Sequence, residues 1–177
     1  MELINFDNLQ EVLEEYAREV RNAYQDRLIK NGRIASGDLL NSIDYHVEKN
    51  GTMYEVSLTL EDYWKYVEYD TKPHFPPLDK ILEWIMVKPI LPRPNDNGDI
   101  PTPRQLAYLI GRAMAGKSPN QANTKNPNGG TKGTHDLEDA INEINAKYKD
   151  MMIYALHKDM ERLMKVAIGG IQGSMPS

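Results

Sequence analysis

Residues 63–84 have the sequence YWKYVEYDTKPHFPPLDKILEW, in which aromatic residues, a Thr-Lys-Pro-His turn and two prolines precede a helical pattern. Residues 63–71 fit either a short helical turn or a strand. A residue before proline is pushed out of helical backbone angles, so residues 72–77 are predicted to be extended. The apolar spacing then predicts a helix over 78–87, with Pro77 near its first turn. We interpret the stretch as the joint between a sheet and the helices that follow it.

A β-hairpin is predicted directly before this joint. Asn50-Gly51 is a tight-turn signal, because both residue types readily take the positive φ angles of such turns. Apolar and polar residues alternate over 54–60, which is typical of a strand with one buried face. The pattern predicts that this strand pairs with residues 43–49 in an antiparallel hairpin.

Two further helices are predicted from their end signals and apolar periodicity. Residues 7–30 repeat apolar side chains close to every 3.6 residues, with Asp7 placed to act as N-cap and Gln10 to complete a capping box. Thr102 is predicted to cap another helix, with a proline at its first position and Gly116 at its end.

The longest predicted helix covers 135–168, where an apolar stripe drifts slowly around the axis. Gly169-Gly170 is predicted to stop it and to begin a small flexible tail over 169–177. At 1.5 Å per residue such a helix would be roughly 50 Å long. A domain of this size does not need that length, so the helix is expected either to kink or to reach beyond its own domain.

Two irregular segments interrupt the regular pattern. Residues 88–102 hold four prolines around an Asn-Asp-Asn-Gly turn, and 116–134 are rich in Asn, Gly and Thr with three lysines and no acid. We interpret 116–134 either as an arm that becomes ordered when it meets a partner or as a mobile surface loop. The chain is therefore predicted to be a single α+β domain over 1–177, with its core at about 5–90 plus 135–168.

The predicted fold class is α+β: a long N-terminal helix, a small antiparallel sheet built on a hairpin, further helices and a long C-terminal helix.

The composition of the chain limits the functions that it can have. The 177 residues contain no cysteine, which excludes disulfides, thiolate metal sites and cysteine nucleophiles. A net charge of −5 argues against general nucleic-acid binding, which needs clustered Lys and Arg. No apolar run approaches the length of a membrane span, and no signal-peptide pattern is visible.

The joint also contains residues with catalytic potential. His74 lies near Asp70 and Glu83, but their spacing matches no metal-ligand motif and the chain has no nucleophile or phosphate-loop motif. We therefore expect no enzyme activity, no metal and no cofactor. A hydrolase using His74 stays open as a minor alternative. The aromatic residues could form a ligand platform, but core and subunit contacts are their commoner role.

Two segments carry a resemblance to a known family. Residues 36–43 read SGDLLNSI and residues 66–71 read YVEYDT, followed by Pro76-Pro77 and Trp84. In this order, after a long N-terminal helix, they resemble the head–tail joining or tail-completion proteins of tailed bacteriophages. Asp70 stands where that family usually has Gly. The resemblance covers residues 5–90 and, more loosely, the final helix.

The resemblance implies a structural protein of the virion, in the neck or upper tail, made in the cytoplasm of the host bacterium. It implies a homo-oligomeric ring, sixfold or twelvefold, that contacts portal, adaptor or tail proteins and lets DNA pass through without specific binding. In that case 88–102 and 116–134 are candidate contacts to neighbours, and the acidic balance could line the channel. A small cytosolic protein- or peptide-binding module with an aromatic surface is the alternative. The residues expected to make structural or interface contacts are Tyr66, Glu68, Asp70, Thr71, Pro73, Phe75, Pro76, Pro77 and Trp84.

Overall fold

The computed structural model describes residues 5–34, 37–51, 53–88, 90–94, 97–118 and 128–172. It confirms the α+β class, with a long N-terminal helix, a two-stranded antiparallel sheet, further helices and a long C-terminal helix. The elements in chain order are α1 (Asp7–Lys30), α2 (Asp38–Ser42), β1 (Asp44–Asn50), β2 (Met53–Thr59), α3 (Trp64–Glu68), α4 (Leu78–Val87), α5 (Pro103–Met114) and α6 (Asp136–Gln172).

The chain forms two compact units. The first comprises Met1–Asn31, Ser42–Leu60 and Asp136–Ser177, and the second comprises Gly32–Asn41 and Glu61–His135. The single domain expected from the sequence stays a prediction.

In the first unit, α1 and α6 pack side by side in opposite directions. Val20 of α1 is buried against Ile144 and Tyr148 of α6, and the rings of Tyr16 and Tyr148 meet edge to face at 6.0 Å. Burying such apolar stripes supplies most of the stability of a helix pair. Ion pairs follow the same antiparallel order along the surface, as in the 2.7 Å contact between Arg27 and Glu143.

The hairpin lies in the same unit and is antiparallel, as predicted. Asn50 pairs with Met53, and Gly51 takes a φ of 65° in the turn between them. Side chains alternate between exposed and half-buried along both strands, and Leu58 on the half-buried face packs against the cluster of α1 and α6. The alternation of apolar and polar residues over 54–60 therefore predicted the half-buried face of this strand correctly.

The start of α1 differs from the prediction. Asp7 does not cap the helix; the N-cap is Phe6, which makes no side-chain cap hydrogen bond. Instead Asp159, from α6, accepts hydrogen bonds from the backbone N–H of Asn8 at 3.3 Å and of Leu9 at 2.9 Å. The capping carboxylate thus comes from a residue far along the chain.

The side chain of Asp159 is fully buried at this position. Burial, the largest influence, raises the pKa of its carboxyl. The hydrogen bonds from Asn8 and Leu9, together with the charge of Arg162, outweigh burial and hold that pKa below its usual value. A carboxylate at the positive end of a helix dipole is also favoured electrostatically.

Several helix ends test the sequence signals. In α5, Thr102 caps the helix as predicted and forms a capping box with Gln105, and Gly116 follows the helix with a φ of 70°. The prediction that Gly169-Gly170 stops α6 is wrong, because the helix continues to Gln172. The short helix α2 was missed, since the sequence indicated only a turn leading into the strand.

In the second unit, α4 and α5 share an apolar cluster. Ile81 and Ile85 of α4 are buried against Ala107 of α5, with partly buried leucines around them. The predicted bounds of α4 are confirmed. In α5, the apolar side chain of Leu109 lies outside this cluster and is exposed.

Candidate functional site

The candidate site begins at α3, which settles the two readings of residues 63–71 in favour of a helical turn. Tyr63 is its N-cap, and the Tyr63 hydroxyl accepts a hydrogen bond from the backbone N–H of Leu39 at 2.8 Å. Tyr69 ends the helix in an extended conformation. The chain then runs outward through Asp70 and Thr71 toward the prolines.

Thr71 is joined to Thr131 by three hydrogen bonds. The backbone N–H of Thr71 donates to the carbonyl of Thr131 at 2.9 Å, and the N–H of Thr131 donates to the Thr71 hydroxyl at 2.9 Å. The two hydroxyls lie 2.7 Å apart. We call this pair the threonine bridge. It holds the turn of the YVEYDT motif against a segment that lies beyond α5.

The contact continues along residues 133–135. The backbone N–H of Gly133 donates to an Asp70 carboxylate oxygen at 2.8 Å. Farther on, the N–H of Thr134 donates to the carbonyl of Val67 at 3.2 Å, and the N–H of His135 donates to the carbonyl of Glu68 at 3.1 Å. These bonds satisfy carbonyls at the end of α3 that its own helix cannot pair. We call the whole contact between residues 67–71 and 130–135 the clasp.

Two glycines let the clasp close. A Cβ atom at Gly133 would overlap the carbonyl oxygen of Glu68, and one at Gly130 would overlap the carbonyl oxygen of Thr71. Gly130 also has a φ of 75°, a conformation that favours glycine. The glycines of residues 128–134 therefore serve close packing.

This corrects the interpretation of 116–134 for the part that is described. Residues 128–134 are irregular, as predicted, but they are ordered by hydrogen bonds within the same unit rather than by a partner. Residues 119–127 of that segment lie outside the described residues, as do positions 89, 95 and 96 of the other irregular segment and Ser36 of the SGDLLNSI motif.

The aromatic residues of the joint divide into two groups. Phe75 packs its ring over the backbone of Gly111 in α5 and lies 5.8 Å from the Tyr108 ring. Tyr66 is 69% exposed, so its ring does not hold the joint by packing within the chain. Trp84 is also partly exposed. Aromatic rings left in water at such positions are typical of surfaces that meet another molecule.

The remaining candidate residues are structural elements of the joint. Glu68 is buried at the end of α3. Pro77 is the N-cap of α4, as its place before the helix suggested. Pro73 is exposed and Pro76 is half-buried in the extended chain between Thr71 and α4. That these residues form interfaces stays a prediction.

The titratable groups of the joint do not converge. The His74 ring bonds its own local backbone at the carbonyl of Lys72, 2.9 Å away. Glu83 is paired with Lys80 at 2.9 Å, and Asp70 accepts from Gly133. Within the described residues, no three His, Asp or Glu side chains come together in a way that could hold a metal ion.

An open groove of about 890 Å³ lies in the second unit. It is formed by the end of the proline-rich segment and by one face of α5, with Arg93 and Arg104 beside the apolar side chains of Ile100, Tyr108 and Leu109. Its size is that of a site for a small ligand or a peptide side chain.

Comparison with known proteins gives no relative: no protein-family model, no curated protein and no solved structure matches the chain. In the described part of the chain, no helix is long and apolar enough to cross a membrane.

Proposed function

We propose that this protein is a structural component of a tailed-phage virion that assembles into a ring at the neck or upper tail. The ring formed by copies of the chain would continue the DNA channel between the portal and the tail. The adjoining portal, adaptor or tail proteins are its expected partners, and DNA passes through without specific binding.

The observation that carries the proposal is the amount of apolar surface left in water in both units. Leu91 is 88% exposed and Met86 is 75% exposed in the second unit, and α6 exposes a series of apolar side chains in the first. Large apolar side chains exposed in such number support the proposal of contacts with other protein molecules. A ring covers them by heterologous contacts, in which each copy presents two different surfaces to its neighbours.

The clasp adds support from the motif that carries the family resemblance. YVEYDT is fixed in shape by backbone hydrogen bonds, and the Asp70 carboxylate accepts one from the backbone N–H of Gly133. Such an arrangement fixes geometry, which suits a subunit that must present rigid surfaces to neighbours.

The test is the assembly state of the purified full-length chain. Sedimentation velocity across a wide concentration range and negative-stain images should show closed rings. A chain that stays monomeric at all concentrations and forms no rings overturns the proposal. The second test is the identity of the neighbouring genes. We expect portal, capsid or tail genes beside the gene for this chain.

The groove beside α5 favours one other function, a module that binds a peptide. The groove is lined by Arg93, Arg104 and Asp99 next to apolar side chains. This lining, with one more positive charge than negative, suits a peptide with an acidic residue beside a hydrophobic one. Binding of such peptides by a stable monomer, lost on changing Arg104 to Glu, would support this second function over the ring.

A further inference from the structure

Helix α6 continues past the end of its partner. Arg162 of α6 pairs with Asp7 in the first turn of α1 at 3.0 Å. The N-terminal end of α1 therefore lies beside Arg162. Residues 163–172 run on as helix for about another 15 Å, at 1.5 Å per residue. We call residues 163–172 the α6 extension.

The α6 extension carries exposed apolar side chains on more than one side. Its sequence is LMKVAIGGIQ, in which Lys165 is the one charged residue. Met164, Val166 and Ile168 are each between 55% and 66% exposed. Apolar faces of a helix are normally buried, so these side chains need cover that α1 does not give.

The apolar side chains form two faces of unlike shape. At about 100° per residue, Met164 and Ile168 share one face, and Leu163, Val166 and Ala167 share another, with the face centres about 130° apart. Lys158, Arg162 and Lys165 lie on the remaining side of the helix, between the two faces. Glu161, one turn before the α6 extension, lies at the edge of the face of Met164 and Ile168.

The angle between the faces decides what can cover them. A pair of helices covers one face, whereas a helix in a closed ring touches two neighbours. The angle between its two contacts is then about 90° for four copies, about 120° for six and about 150° for twelve. A separation of about 130°, with the usual scatter of helix packing, corresponds to roughly five to twelve copies.

The two faces also complement each other. One presents the long side chains of Met164 and Ile168, and the other has the small Ala167 between Leu163 and Val166. In parallel helices at equal height, Ile168 of one copy lies level with the small Ala167 of the next, and Met164 lies level with Leu163. The side of the helix that carries Lys165 points away from both contacts. A second copy of this chain therefore fits both faces, and a single foreign helix fits one.

We propose that the α6 extensions of neighbouring copies pack side by side and parallel, forming a closed helical collar of at least about five copies. The collar proposal depends on the proposed ring function. It specifies the surface through which neighbouring copies of the chain contact each other. In it, Ile168 of each copy contacts Ala167 of the next.

The absence of cysteine allows a direct test by disulfide formation. Two single variants, Ile168→Cys and Ala167→Cys, are refolded together and oxidised. We expect heterodimers from the mixture and no homodimers from either variant alone, because each face meets the other face. Lys165→Cys mixed with Ala167→Cys is the matched control and should give no cross-link. Homodimers of either single variant would overturn the collar in favour of a two-fold pair.

Assembly strength gives a second measurement. Ile168→Lys should raise the concentration at which half of the protein is assembled by at least about tenfold, since a charge enters an apolar contact. Lys165→Glu, on the charged side of the same turn, should leave that concentration within about twofold. Native mass spectrometry of the unmodified chain should show five or more copies; two to four copies overturn the collar.

Failure of the collar and failure of the proposed function give different results. Rings in negative stain that form without the heterodimers, or that form normally with Ile168→Lys, overturn the collar and leave the proposed function standing. Absence of rings together with absence of heterodimers overturns both.

Discussion

Asp159 shows how one side chain joins the two long helices of the first unit. Its carboxylate accepts hydrogen bonds from Asn8 and Leu9 while fully buried. Changing Asp159 to Ala leaves these donors without an acceptor, and we expect a loss of about 2 kcal/mol in unfolding free energy. Urea unfolding followed by circular dichroism measures it. Asp150→Ala, at an exposed position of the same helix, should change the value by less than about 0.5 kcal/mol.

The same carboxylate predicts a pH dependence. The pKa of Asp159 is lower in the folded chain than its usual value, so its stabilisation is present above the unfolded pKa of about 3.9 and is lost as pH falls through the folded pKa. The difference in unfolding free energy between wild type and Asp159→Asn should therefore be constant from pH 7 to about pH 5 and shrink below about pH 4. A difference that grows on acidification would contradict the assigned direction.

Gly133 is the residue on which closure of the clasp depends. A methyl group there would overlap the carbonyl of Glu68, so Gly133→Ala should cost about 1–3 kcal/mol and weaken protection of nearby amides from hydrogen exchange. Gly169→Ala provides the control, because a Cβ at Gly169 meets nothing within 4 Å and the residue lies in a helix. Its effect should lie between no change and a gain of about 1 kcal/mol.

At the scale of elements, local signals in the sequence were sufficient to predict the features that depend on neighbouring residues alone. Periodicity gave α1 and α4 within their observed bounds, and Thr102 followed by a proline gave the start of α5. The clasp could not be predicted, because its partners lie 60 or more residues apart and its glycines carry no sign of which carbonyl they approach. The cap of α1 was missed for the same reason, since Asp159 is 150 residues from Leu9.

The threonine bridge should couple the two chain segments energetically. Replacing Thr71 or Thr131 by Val keeps the shape and removes a hydroxyl, so each single change should destabilise, and the double change should cost less than the sum by about 0.5–1.5 kcal/mol. A double-mutant cycle with urea unfolding measures this. Thr71→Val combined with Thr102→Val, at the cap of α5, should be additive; coupling of equal size there would show that the bridge is not the cause.

At the scale of the whole molecule, the exposed apolar side chains and the two-faced α6 extension have one consequence in common. Surface that is stable only when covered ties the stability of each copy to the concentration of the others. The clasp and the Asp159 cap, by contrast, act within one copy and do not depend on concentration. The two kinds of stabilisation can therefore be separated by dilution.

The last prediction uses that separation. Raising the chain concentration about 100-fold across the assembly range should add up to about 2.7 kcal/mol and raise the thermal midpoint by at least about 3 °C, because assembled copies are withdrawn from the unfolding equilibrium. Differential scanning fluorimetry at the two concentrations measures the shift. Ile168→Lys should flatten the dependence, and Gly133→Ala should lower both midpoints while keeping the difference between them. An unmodified chain whose midpoint is the same at both concentrations would show that its apolar surface is stable uncovered.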